Sequence, residues 1–319
     1  RKYGYELSVV DAVEGSPADK AGLSTGDIIE AINGISTRDM PLAYADVVLH
    51  GEPGSTVELT VLRLRKPEPS KVTLTRAKVT PPQVQAKMLE NETGYVAVQD
   101  LTAGKSKEVQ AAVTALEKQG AKKMVLDLRD AVISTPDEGV ALANLFLDKG
   151  TIASLEGQKV KKQVFAAEAS KVIFKGPLVV LTNRGTTGAA EIAAAALGDN
   201  KRAQLVGERT YGDAALRKAV PTDDGGAVLL AVAKYYSPAG KAIQDASVTP
   251  AFAVGDNEPE ISDDETAAPA ATPEKPREDA ILKKALAVLS GKATQASAKG
   301  AGGSGAALGP LNVPVGPGH

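Results

Sequence analysis

Residues 15–34, GSPADKAGLSTGDIIEAING, leave the chain little freedom in how it begins to fold. Glu14-Gly15-Ser16-Pro17 is turn chemistry, and Ala18-Asp19-Lys20-Ala21 reads as a short helix stopped by Gly22. Gly26-Asp27 leads into an Ile-rich strand over 28–32, and Asn33-Gly34 is a strong hairpin signal. Before this run, residues 7–13 (LSVVDAV) read as a strand rich in β-branched residues. After it, residues 44–50 are helical in character and 56–65 (TVELTVLRLR) alternate as a strand. The sum is a small β-rich domain with two helices, expected over residues 1–79.

That order closely resembles the PDZ domains of bacterial extracytoplasmic proteases, whose consensus reads GSPA-x-x-AGL-x-x-GD-x-I-x-x-I-N-G. PDZ domains take extended peptide C-termini by strand addition, with main-chain amides holding the terminal carboxylate. The resemblance places that carboxylate loop at Lys2-Tyr3-Gly4-Tyr5 or upstream of Arg1. Tyr3, Gly4, Tyr5 and Leu7 are therefore the peptide-binding candidates.

A length of 319 residues calls for two domains plus extras, and 43% hydrophobic residues supply the cores. The net charge of -2 and the lack of a basic block argue against a nucleic-acid partner. With no cysteine, disulfides, thiolate metal sites and Cys nucleophiles are excluded. The two histidines are His50 and His319, and neither has carboxylates at ligand spacing, so no metal and no cofactor are expected. A Ser-His-Asp triad would have to use His50, which reads as a surface residue. No apolar run approaches the roughly 20 residues of a membrane helix. Strand-like sequence starts almost at Arg1, so a processed or partial chain is expected.

Residues 66–93, with Pro67, Pro69, Pro81 and Pro82, read as a connection to a second unit over 80–255. There strands and helices alternate. Strands are expected at 94–99, 124–128 (MVLDL), 177–182 (PLVVLT), 204–206, 226–233 and 234–237. Helices are expected at 105–119, 136–147 and 188–197, the last unusually rich in Ala. Continuous apolar strands of this kind suit a buried parallel sheet in a layered α/β domain. Residues 256–277 turn acidic and then Ala/Pro-rich, as an exposed linker would. A short amphipathic helix over 278–291 should dock on the α/β unit, because it is too short to stand alone. Residues 292–319 read as a flexible tail.

Several stretches carry a second resemblance: GYVAVQDLT, QGAKKMVLDLR, EGVALANLFLDKG, EIAAAALGDNKRAQLVGERTYG and YYSPAGKAIQDASVTPAF. They resemble the C-terminal processing peptidases, in which a PDZ domain precedes a ClpP/crotonase-like core. The resemblance implies a Ser nucleophile with a Lys base, an extracytoplasmic location and a polypeptide partner. Self-association is common in that family, so a homo-oligomer or a larger assembly is also implied.

At the positions that match the family's motif, this chain departs from it. The nucleophile's S-A-S-A-S-E run reads Thr186-Thr187-Gly188-Ala189-Ala190-Glu191, which puts Gly188 where the Ser belongs. The Lys of G-E-x-T-[FY]-G-K-G is Asp213, and the Gln that orients it is Arg217. The oxyanion segment D-L-R-x-N-P-G-G ends in Ala131-Val132-Ile133-Ser134, where β-branched residues disfavour the shapes glycine permits. Asp213 and Arg217 are able to pair with each other. The expectation is a peptidase fold without peptidase chemistry. The alternative is a displaced dyad, with Thr186 or Thr187 as nucleophile and Lys218 as base.

Overall fold

The computed structural model describes residues 2–3, 6–9, 12–13, 15–24, 26–63, 66–80, 82–221, 227–255 and 279–292. The first unit holds β1 (Lys2–Tyr3), β2 (Glu6–Ser8), α1 (Pro17–Lys20), β3 (Ile28–Ile32), β4 (Ile35–Ser36), α2 (Leu42–Leu49), β5 (Thr56–Arg63) and β6 (Lys66–Thr75). They form one sheet in the order β1-β2-β3-β5-β6, with β4 added to β3. The Ser16 side chain caps α1 by accepting the Asp19 N–H at 3.2 Å. Asn33 and Gly34 both take positive φ (49° and 78°), as a two-residue hairpin needs, and Ile32 pairs with Ile35 across it. Leu7, Ile29, Ile32, Ala45, Val57, Leu59 and Val61 make the core.

The second unit runs β7 (Gln85–Leu89), β8 (Thr93–Ala97), β9 (Asp100–Leu101), α3 (Lys105–Lys118), β10 (Lys123–Asp127), β11 (Ile133–Ser134), α4 (Pro136–Asn144), β12 (Thr151–Gly157) and β13 (Val160–Ala166). It continues with β14 (Leu178–Thr182), α5 (Ala189–Asp199), β15 (Gln204–Gly207), β16 (Ala215–Pro221), β17 (Ala227–Tyr236), β18 (Phe252–Ala253) and α6 (Ala280–Leu289). Its main sheet has the order β18-β15-β14-β10-β8-β7, parallel throughout except for the edge strand β7. Strand alternation explains why β10 and β14 read as unbroken apolar runs. Met124, Leu126, Leu178 and Val180 face the core shared with α3, α4 and α5. Val125, Val179 and Leu181 face Ile281 and Ala285 of α6. Both faces are covered, so polar residues are confined to the strand ends, Lys123, Asp127 and Thr182.

Three sequence expectations need correction. Residues 66–75 are not a connector but β6, paired with β5 from Thr56↔Thr75 to Arg63↔Lys66. Pro67 and Pro69 are tolerated because β6 is an edge strand. Residues 85–89 likewise form an edge strand, and residues 226–237 supply one strand, Ala227–Tyr236, where two were expected. The antiparallel sheet β13-β12-β17-β16 includes a hairpin over 151–166 and a strand over 215–221 that sequence pattern did not reveal. The helix near 280 does dock on the sheet as expected. The proposed linker and tail lie outside the described residues.

Candidate functional site

The carboxyl ends of the neighbouring parallel strands β10 and β14 feed the two segments of the site, the usual place for one in such sheets. After β14 the chain turns through Asn183–Thr187 to Gly188 and enters α5. Asn183 organises the turn. Its Oδ1 accepts the N–H groups of Gly185 (2.9 Å) and Asp130 (3.1 Å), and its Nδ2 donates to Asp130 Oδ1 at 2.9 Å. Gly188 sits at φ 54°, ψ -115°, a sharp strand-to-helix turn of the kind that presents a nucleophile in hydrolases. Glycine adopts it without the strain of about 1–3 kcal/mol that a side chain would bring. The turn therefore has a nucleophile's backbone and no side chain.

Glu191, one turn into α5, is fully buried. Its Oε2 accepts the N–H groups of Gly188 (3.1 Å) and Asp213 (2.8 Å). Its Oε1 accepts the Gly212 N–H (2.6 Å) and the Thr210 hydroxyl. Burial pushes this carboxyl above its ordinary range, and the four donated hydrogen bonds pull it back. Glu191 thus ties the 210–213 loop to the start of α5. Sequence reasoning did not single it out, although a Glu three residues past a helix start is a legible capping signal.

That tie brings Asp213 to the site. Its carbonyl oxygen lies 3.6 Å from where a Cβ on residue 188 would stand, and its carboxylate pairs with Arg217 of β16. Asp245 adds to this network. Its N–H donates to the Gly212 carbonyl (2.9 Å) and its carboxylate meets Lys234 at 3.2 Å. Its carboxyl is lowered by hydrogen bonds from Gln244 and Lys234 and by the nearby charges of Lys234 and Arg217. Charges of both signs occupy the position where a neutral, buried amine would be needed as a base.

The segment after β10 presents carbonyls to the turn. Thr187 N–H donates to the Ala131 carbonyl (3.2 Å), and the Thr187 hydroxyl to the Val132 carbonyl (3.0 Å). The Thr186 hydroxyl donates to the Leu128 carbonyl (2.8 Å). Both threonines are buried. Ala131 is buried too, while Val132 and Ile133 are exposed, Ile133 at 62%. Ser134 leads back into the site, where its Oγ accepts the Ala189 N–H at 3.0 Å. Lys218 is exposed on β16, paired in register with Leu230. It follows Arg217 directly, and successive strand residues point to opposite faces.

Of the peptide-binding candidates, Gly4 and Tyr5 lie outside the described residues, and Tyr3 is described by its backbone alone. Tyr3 pairs with Glu6, and Lys2 with Leu7, so β1 and β2 are antiparallel neighbours. Leu7 turns its side chain into the core, and β2 is hydrogen-bonded on both sides, to β1 and to β3. His50 is exposed at the end of α2, 3.4 Å from Asp46. Among the described residues, no group of three or more His, Asp or Glu is placed to hold a metal. No helix among them is long and apolar enough to cross a membrane.

A PDZ-type sheet followed by a layered parallel sheet with a strand-to-helix elbow is the architecture of a PDZ-bearing, peptidase-like α/β protein. Comparison with known proteins agrees. The PDZ domain pattern matches residues 8–63, and that of peptidase family S41 matches residues 92–254. The chain is 35% identical over 248 residues to the carboxy-terminal processing protease CtpA of Bacillus subtilis, covering 77% of this chain and 52% of that protein. It is 34% identical over 253 residues to the chloroplastic carboxyl-terminal-processing peptidase 2 of Arabidopsis thaliana, covering 76% and 49%. The solved photosystem II D1 C-terminal processing protease superimposes with a TM-score of 0.69 at 31% identity, over 79% of this chain and 69% of that one. The chain belongs to peptidase family S41, and it spans about half the length of the two sequence relatives just named.

Proposed function

We propose that this chain is a catalytically silent member of family S41, retained as an extracytoplasmic polypeptide-binding or scaffold subunit. The observation that carries this reading is Gly188 at the elbow, next to an Asp213–Arg217 ion pair where a nucleophile and base would be needed. The carbonyls aimed at Thr187 support it, because an oxyanion requires N–H donors instead. The bonds made by the Thr186 and Thr187 hydroxyls, together with the exposure of Lys218, weigh against a displaced dyad. The units proposed are a PDZ domain over 1–79 and a peptidase-like core over 80–255. A linker over 256–277, a docking helix over 278–291 and a tail over 292–319 follow. An extracytoplasmic setting is consistent with chloroplastic and bacterial relatives named as processing proteases.

The test is cleavage of casein by the purified protein, beside a Gly188→Ser, Asp213→Lys, Arg217→Gln variant. No turnover by the natural chain is expected. Turnover that Thr187→Ala or Lys218→Ala abolishes would overturn the silent reading in favour of a displaced dyad.

A further inference from the structure

We infer that Ser134 has taken over the space that a side chain at residue 188 would use, and so seals the site against simple reversion. This deepens the silent reading and rests on it. A Cβ added at Gly188 would come 2.6 Å from Ser134 Oγ, closer than such atoms ever approach. The same Oγ accepts the Ala189 N–H at 3.0 Å, at the first turn of the eleven-residue helix α5. A helix start normally has the N–H of its second or third residue met by its own N-cap side chain. Here the N-cap is Gly188, with none to offer. Glu191 reaches back to the Gly188 N–H, completing half of a capping box. Ser134 adds an oxygen for the N–H of the first helical residue, Ala189, from a segment more than fifty residues away.

The segment that carries the hydroxyl is held by its backbone. Ser134 pairs with Leu101 in the short β9–β11 ladder, and the Thr135 N–H donates to the Leu101 carbonyl at 3.0 Å. Pro136 then starts α4 and keeps Thr135 extended (ψ 134°). Backbone on both sides therefore fixes the Ser134 backbone, and a new side chain at 188 has to turn its Oγ out of the way. Displacement also releases the Ala189 N–H. The two positions exclude each other.

A thermal-melt cycle over Ser134→Gly, Gly188→Ala and the double variant tests this without relying on activity. Gly188→Ala is strained by its backbone in either background, so the quantity that matters is the difference. It should lower Tm by at least about 3 °C more when Ser134 is present than in the Ser134→Gly background. Equal losses in the two backgrounds, including failure of both to fold, would overturn the inference. A fluorophosphonate probe gives a second reading. Gly188→Ser, Asp213→Lys, Arg217→Gln should label at least tenfold more slowly than the same variant carrying Ser134→Gly, and equal rates would overturn the inference as well. Casein turnover by the natural chain would sink the silent reading while leaving the stability cycle untouched.

Discussion

Glu191 shows what holds the frame of the site together. Its carboxylate answers three backbone N–H groups and one hydroxyl in a place that water does not reach. Leaving a buried donor unpaired costs about 1–3 kcal/mol, more than most single contacts contribute. Glu191→Ala strands all four donors at once and should lower unfolding stability by about 3–5 kcal/mol in urea titration. Glu191→Gln keeps the shape but exchanges one acceptor for a donor, so it should lose less. A loss below about 1 kcal/mol for Glu191→Ala would mean the 210–213 loop holds itself. Such a residue is kept for stability whether or not catalysis continues, and on the silent reading proposed above it accounts for a frame preserved around Gly188 and Asp213. The letters at 188, 213 and 217 were legible in the sequence. The approach of Ser134 was not, because it depends on two loops that only the folded sheet brings together.

Among the elements, those with one unambiguous pattern were readable. Residues 124–126 and 178–181 are apolar on both faces, and 280–289 carry one apolar stripe. β6 was hidden by prolines that an edge strand accommodates, and β12–β13 by polar residues on a half-exposed sheet. What fixes α6 in place was equally invisible, since it joins residues 150 apart. Arg129 donates to both Asp127 and Asp279, and Asp279 also caps α6 by accepting the Leu282 N–H. Tyr95 adds its hydroxyl to Asp127 at 2.7 Å, and its own ionisation is pushed up by burial and by that carboxylate. Burial alone would raise the Asp279 carboxyl, and the Arg129 guanidinium with the capped N–H groups holds it below its ordinary 3.8 instead. A group whose folded pKa is depressed stabilises above its unfolded value and loses that contribution as pH falls through the folded one. Asp279→Asn should therefore be less stable than the natural chain near pH 6, and the gap should close below about pH 3.8. A gap that stays constant across that range in denaturant titrations would show that the Asp279 charge does nothing.

At the scale of the molecule, α6 decides whether the peptidase-like unit is whole. The face of the sheet opposite α3–α5 consists of Val125, Val179, Leu181, Val206 and Phe252, and Ile281 and Ala285 of α6 lie against it. Fully burying one such side chain is worth about 1.5–3 kcal/mol, so losing the cover from several together approaches the whole stability of a domain. The chain reaches α6 only after residues 256–278, so the last described element closes a layer begun at β10. A chain ending at Gly255 should therefore expose this apolar face, bind a hydrophobic dye and aggregate on mild heating. Adding residues 279–292 back as a separate peptide should reverse part of the effect, because the Arg129–Asp279 pair and the Ile281 contact need no covalent link. A truncated chain that melts as the full one does would place the source of stability in α3–α5 alone. It would also make α6 available as a removable surface, which its Asp279 clamp argues against.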